Sequence, residues 1–198
     1  MAAVLTSIPS EAISLPVVDA NGTSHLFSTL YSIDGHNQQT LVIFIRHFFC
    51  GSCKEYVTGL SKENGITPNE LSNSNKRLII IGCGQPNLIE QYKKDTKCPF
   101  TIYCDPTQKL YDSFGMIRTL SLGEKKPDYI KSSFLSNVAK SAVSQISAGT
   151  CMFQGGDIRQ NGGEYLINER GDIIWSHNMI NTQDHVEIKE LRKILVLD

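Results

Sequence analysis

Continuous apolar runs, rather than alternating ones, mark the middle of the chain. Leu41-Val-Ile-Phe-Ile45 and Arg77-Leu-Ile-Ile-Ile-Gly82 place branched or aromatic residues on consecutive positions. Such strands must be covered on both faces, as in a parallel sheet. Phe100-Thr-Ile-Tyr-Cys104 reads as a third, shorter strand. Between these runs the period changes. Tyr56, Val57 and Leu60 form an apolar stripe that predicts a helix over 50–62, and 87–94 reads as a second helix after Pro86. Asp105-Pro106 opens a further helix through Tyr111 to Phe114, closed by Gly115, with proline at the start and glycine at the end.

The flanking segments complete the pattern. Asn21-Gly22 separates the runs 13–19 and 24–30 and predicts an N-terminal β-hairpin, because both turn residues tolerate positive φ. Ile130, Phe134, Leu135, Val138, Ala142, Val143 and Ile146 recur at helical spacing and predict one amphipathic helix over 126–148. A second hairpin is expected from 163–167 and 172–175, and a terminal helix over about 183–197. The resulting order β-α-β-α-β-β-α is that of thioredoxin, with a strand and helix inserted after the second crossover and a hairpin added in front. The expected fold is α/β, a thioredoxin-like central mixed sheet flanked by helices. No repeat or low-complexity linker divides the chain, so a single domain over 1–198 is expected.

Composition narrows the function. The 198 residues carry 19 basic and 20 acidic side chains, a formal charge of −1. A balanced surface of this kind argues against nucleic acid or an anionic membrane as the main partner. No apolar stretch approaches the roughly 20 residues of a membrane span. Neither a positive n-region nor a long apolar core marks a targeting segment, so a cytoplasmic protein is expected and Asn21-Gly-Thr23 is a turn rather than a glycosylation site. The six cysteines are then expected to be reduced at rest, and their spacing matters more than their number.

The chemistry centres on Cys50-Gly-Ser-Cys53, which follows a buried strand and opens a helix. Positions i and i+3 share a helix face, so a disulfide can close and open with little backbone motion. The helix N-terminus stabilises an anion and lowers a thiol pKa from about 8.5. Cys50 is the candidate nucleophile and Cys53 the candidate resolving thiol, with Arg46, His47 and Lys54 supplying cationic character. Half a zinc site and two buried, inert cysteines are the competing readings, but Cys98 and Cys104 are six apart, no His-x-x-x-His pair exists, and strand–Cys-x-x-Cys–helix is the context a redox pair requires. No metal is expected.

Arg46-His-Phe-Phe-Cys50-Gly-Ser-Cys53-Lys-Glu-Tyr-Val57 resembles the signature of the peroxiredoxin-like proteins with the AhpC/TSA antioxidant-enzyme domain. Tyr103-Cys-Asp-Pro106, the Leu110–Met116 helix end, Phe153-Gln-Gly155 and Gln160-Asn-Gly-Gly163 resemble it in the same order. The resemblance implies a thioredoxin-like fold and thiol-dependent reduction of a peroxide, endoperoxide or small metabolite. It implies no bound cofactor and an external dithiol reductant, thioredoxin or glutathione. One branch is similar to enzymes that reduce a lipid endoperoxide. The chain departs from related peroxiredoxins where they carry proline and threonine before the reactive cysteine: here Ile43 and His47 stand. His47 is either a substitute proton donor or a surface-facing or core-bonded histidine. The cis-proline of thioredoxins is replaced by Gly162-Gly163, which either lets a substrate approach the backbone or forms a flexible turn.

Other residues carry paired readings. Cys83 is a third redox thiol or a small buried residue at a strand end. Arg46 stabilises the Cys50 thiolate or an anionic group, or caps the strand end. Gln160 donates to a substrate oxygen or is solvated. Cys98, Cys104 and Cys151 are structural by default. The 126–148 helix is a lid, a homodimer face or a packing element. Besides the reductase, two alternatives remain: a specialised-metabolite enzyme using the same thiols on a non-peroxide substrate, and a non-catalytic redox sensor.

Overall fold

The computed structural model describes residues 5–32, 38–62, 64–131 and 154–197. Seven strands form one mixed sheet: β1 (Pro16–Val18), β2 (Ser24–Leu26), β3 (Gln39–Phe44), β4 (Lys76–Gly82), β5 (Thr101–Cys104), β6 (Gly163–Ile167) and β7 (Ile173–Asn178). Their order is β2-β1-β5-β4-β3-β6-β7. β4 runs parallel to both β3 and β5, whereas β6 pairs antiparallel with β3 and β7 antiparallel with β6. The unit β4-β3-β6-β7 is the thioredoxin-like core. β5 is the inserted strand, and the N-terminal hairpin extends the sheet from it through a single pair, Val18 with Cys104.

The apolar runs explain the layering. Alternate residues of β3 enter different cores: Leu41, Ile43 and Ile45 on one face, Val42 and Phe44 on the other. The first face is covered by α2 (Gly51–Leu60), α3 (Pro68–Asn73), α4 (Ile89–Thr96) and α6 (Ile188–Ile194). The second is covered by α1 (Ser10–Ile13), α5 (Lys109–Ser113) and an aromatic cluster. Phe44 is the hub of that cluster, with ring centroids of Tyr111, Phe114, Tyr165 and Phe27 between 5.2 and 6.4 Å away. Contacts of this kind add about 1 kcal/mol each beyond the area they bury.

Several elements differ from the sequence reading, each for a local reason. β2 stops at Leu26, and Phe27–Leu30 turns as a 3-10 helix that drives Phe27 and Leu30 into the core. Asp105-Pro106 precedes rather than starts its helix. The Asp105 carboxylate accepts from the Thr107 and Leu110 backbone N–H groups, and the helix proper begins at Lys109. The terminal helix is shorter than expected, confined to Ile188–Ile194. α3 was not anticipated, although Thr67 and Glu70 form a reciprocal capping box with Pro68 at the first helical position. The expected 126–148 helix does not begin at Lys126, since 126–131 are irregular with Tyr129 and Ile130 buried. Its remainder from residue 132, and the lid or dimer face attributed to it, lies outside the described residues, as does Cys151.

Gly162-Gly163 is not a loose turn. Gly163 pairs with Phe44 in β3, and a Cβ on Gly162 would lie 1.7 Å from the Phe44 carbonyl oxygen. The glycines let β6 close against the end of β3. Among the described residues no helix is long and apolar enough to cross a membrane. Gly162→Ala should therefore lower the unfolding free energy by about 3 kcal/mol or more. Denaturant titration of the two proteins measures it.

Candidate active site

The site forms where β3 leaves the sheet. The Ile45 N–H still bonds to the Ile81 carbonyl at 2.9 Å, after which the chain turns, closed by Cys50 N–H to the His47 carbonyl at 3.1 Å. The Tyr111 hydroxyl lies 2.8 and 2.9 Å from the carbonyl oxygens of Ile45 and Ile81, pinning the strand ends from below. Cys50 is the N-cap of α2, and its sulfur accepts the Cys53 backbone N–H at 3.3 Å. A cysteine here occupies the place of a capping oxygen, facing the unpaired N–H groups of the first turn.

Arg46 completes the surroundings of that sulfur. Its Nη1 donates to Cys50 Sγ at 3.4 Å, Nε to the Gln160 carbonyl at 3.1 Å and Nη2 to the Ile158 carbonyl at 2.5 Å. The guanidinium thus ties the segment before β6 to the N-terminus of α2. Hydrogen bonding from the Cys53 thiol, with the Arg46 charge beside it, holds the Cys50 pKa well below the ordinary thiol range despite burial. Cys53 moves the opposite way. Burial and the neighbouring Cys50 sulfur keep it protonated.

His47 is buried, not surface-facing, and its Nδ1 has no hydrogen-bond partner. Burial, aided by the Arg46 charge, lowers its pKa to about 4, so it is neutral at pH 7. The cationic character expected from it is absent there, as is an imidazolium donor. Lys54 turns away and pairs with Asp95 at 2.6 Å. Gln160 is fully buried, its amide N–H donating to the Asn161 carbonyl at 2.9 Å. Its link to the site is the backbone carbonyl that receives Arg46, not a side chain aimed at substrate. The Cys83 thiol donates to the Arg46 carbonyl at 2.9 Å, and burial pushes its pKa up to about 12. Such a thiol is a buried packing group with little thiolate character. Burial likewise raises Cys98 to about 11 and Cys104 to about 12.

Two residues invisible to the sequence reading sit behind the pair. His185 Nε2 is 3.6 Å from Cys53 Sγ, and its Nδ1 is 2.5 Å from Glu164 Oε1. Both side chains are wholly buried. Tyr56 stacks flat on the imidazole at 4.3 Å, and the Tyr129 hydroxyl receives the His185 backbone N–H at 3.1 Å. A glutamate on a fully buried strand was the one available signal, since such a charge needs a partner. Alongside α2, a cavity of about 550 Å³ is lined by Phe49, Gly51, Thr58, Tyr129 and Ile188 among others, with neither Cys50 nor Cys53 in its wall. Its size is that of a small-molecule pocket. Among the described residues no cluster of three or more histidine, cysteine, aspartate or glutamate side chains could hold a metal ion.

Comparison with known proteins gives three findings. The model of the AhpC/TSA antioxidant enzyme family matches residues 67–181, downstream of Cys50 and Cys53. The chain is 32% identical to the peroxiredoxin-like 2C proteins of Bos taurus and Homo sapiens, over 91% of its own length and 76% and 77% of theirs. Among solved structures it is similar to the bacterioferritin comigratory protein of Xanthomonas campestris, with a TM-score of 0.61, 11% identity and coverage of 98% and 95%. It is also similar to a mutant of peroxiredoxin 6 from Arenicola marina, with a TM-score of 0.63, 11% identity and coverage of 98% and 72%. At that identity the structures establish the fold alone.

The neutral His47 has a consequence for acid stability. Its pKa is about 4 in the folded protein against 6.5 unfolded, so the unfolded chain takes up a proton first as pH falls. The associated stability is complete above pH 6.5 and declines towards pH 4, by about 3 kcal/mol in all. Unfolding free energies of the natural protein should therefore fall more steeply across this window than those of His47→Asn.

Proposed function

The chain belongs to the AhpC/TSA antioxidant-enzyme family of peroxiredoxin-like proteins, and on that premise we propose that it is a thiol-dependent peroxide reductase cycling through Cys50 and Cys53. The Cys50 thiolate attacks the peroxide oxygen of ROOH. The O–O bond breaks, Cys50 becomes a sulfenic acid, and RO⁻ leaves to be protonated as the alcohol. Cys53 then attacks the Cys50 sulfur, forming the disulfide and releasing water. An external dithiol such as thioredoxin returns both cysteines to thiols by disulfide exchange.

The observation that carries this reading is the Cys50 sulfur at a helix N-cap. It receives a backbone N–H at 3.3 Å and a guanidinium at 3.4 Å, with the second thiol one turn away. An organic peroxide, of lipid or metabolite origin, is favoured over hydrogen peroxide. The 550 Å³ cavity bordering Phe49 and Gly51 supports that preference, as does the replacement of proline and threonine by Ile43 and His47.

The direct test couples organic hydroperoxide consumption to thioredoxin, thioredoxin reductase and NADPH. Cys50→Ser should abolish turnover, and Cys53→Ser should accumulate a Cys50 sulfenate trapped by dimedone. Sustained turnover by Cys50→Ser would sink the proposal. No turnover by the natural protein despite a reversible Cys50–Cys53 disulfide would favour a specialised-metabolite enzyme or a redox sensor.

Removal of the neighbouring charge is a separate probe of Cys50. In a Cys53→Ser background, Arg46→Gln should move the pH profile of Cys50 alkylation by iodoacetamide to higher pH. An unchanged profile would remove Arg46 from the account.

A further inference from the structure

The proposed cycle leaves one step without an agent. Cys53 must lose its proton to attack the oxidised sulfur, yet it lies fully buried, away from solvent base. What it does face is His185 Nε2, at 3.6 Å. The other ring nitrogen meets the Glu164 carboxylate at 2.5 Å. A carboxylate can only accept, so Nδ1 carries the hydrogen and Nε2 presents its lone pair to the Cys53 thiol. Nucleophile, imidazole and orienting carboxylate in series form the arrangement by which a weak nucleophile is activated.

We propose that His185 is the catalytic base for the resolving cysteine and that Glu164 positions it. The inference rests on the Cys50/Cys53 cycle but concerns only its second half. As Cys53 attacks, its thiol proton passes to His185 Nε2. The new S–S bond forms, the S–O bond of the Cys50 sulfenic acid breaks, and the departing hydroxide takes the proton back as water. During reduction the external dithiol supplies a proton to His185 Nε2, which passes it to the leaving Cys53 sulfur. Each turn of the cycle leaves His185 unchanged.

The surroundings fit a base held in one orientation. Tyr56 stacks on the ring with planes 4° apart, and the Tyr129 hydroxyl anchors the His185 backbone. The second Glu164 oxygen makes no hydrogen bond and faces His177 Nδ1 at 4.0 Å, while His177 Nε2 lies 3.5 Å from Asp184. The titratable groups around the pair include Tyr56 on α2, Tyr129, His177 on β7 and Asp184. The three participants come from α2, β6 and the loop before α6, so no two of them adjoin in sequence.

Dithiobisnitrobenzoate separates this inference from the peroxidase reading, because it needs no peroxide. Attack by Cys50 releases one coloured thiolate, and closure by Cys53 releases a second in a later phase. His185→Gln should leave the first phase within about twofold and slow the second by about 100-fold. Glu164→Gln keeps the side-chain volume but lets an amide donate to Nδ1, moving the ring hydrogen to the nitrogen facing Cys53. It should slow the second phase by about tenfold or more. A second phase at the natural rate in both variants, or equal slowing of both phases, overturns the proposal. His185-dependent closure without any peroxide turnover would reject the peroxidase reading and leave the base assignment standing.

Discussion

Arg46 donates to Cys50 Sγ and to the carbonyls of Gln160 and Ile158 from a single buried guanidinium. The rest of the site depends on that fork. One arm supplies charge to the sulfur, and two arms hold the strand that enters the sheet as β6. The geometry suits arginine rather than lysine, because only a planar guanidinium offers several donors in fixed directions. It also makes the electrostatics of the site inseparable from its architecture: the cation that acidifies Cys50 fixes the segment carrying Glu164 four residues beyond Gln160.

The two cysteines are thereby placed in opposite environments one helical turn apart. Cys50 lies at the N-cap, where backbone N–H groups and Arg46 favour its anion. Cys53 lies inside the first turn, where burial disfavours it. Pairs of titratable groups with pKa values pushed apart are how one site assigns separate roles to like residues. Cys83 shows the contrast. It follows β4 beside the site and donates to the Arg46 carbonyl, and burial outweighs the nearby Arg46 charge, pushing its pKa up to about 12.

The family likeness and the geometry address different parts of the chain. The family model spans 67–181, which includes β4 to β7 but not the cysteine pair. The chemistry of Cys50 and Cys53 is therefore argued from position, distance and charge. Ile43 and His47 lie on either side of the point where β3 leaves the sheet. Ile43 is ordinary core on β3, whereas His47 is a neutral, buried imidazole with an unpartnered nitrogen beside the reactive turn.

By itself the sequence determined the strands β3, β4 and β5, the helix at Cys50 and the C-terminal hairpin. Each is written in local period and local turn chemistry, and the Cys50-x-x-Cys53 spacing at a strand-to-helix junction is legible within four residues. Local signals also misled where a side chain could reach more than one partner. Asp105 capped a later turn than expected, and Gly162-Gly163 leads into a strand pairing rather than a flexible turn. Only the tertiary structure decided what surrounds Cys53. His185 is 132 positions away and Glu164 a further 21 back from it, on separate elements. No periodicity links such residues, because their meeting is set by the antiparallel entry of β6 beside β3. The sequence names the thiols, and the fold chooses which charges and bases they meet.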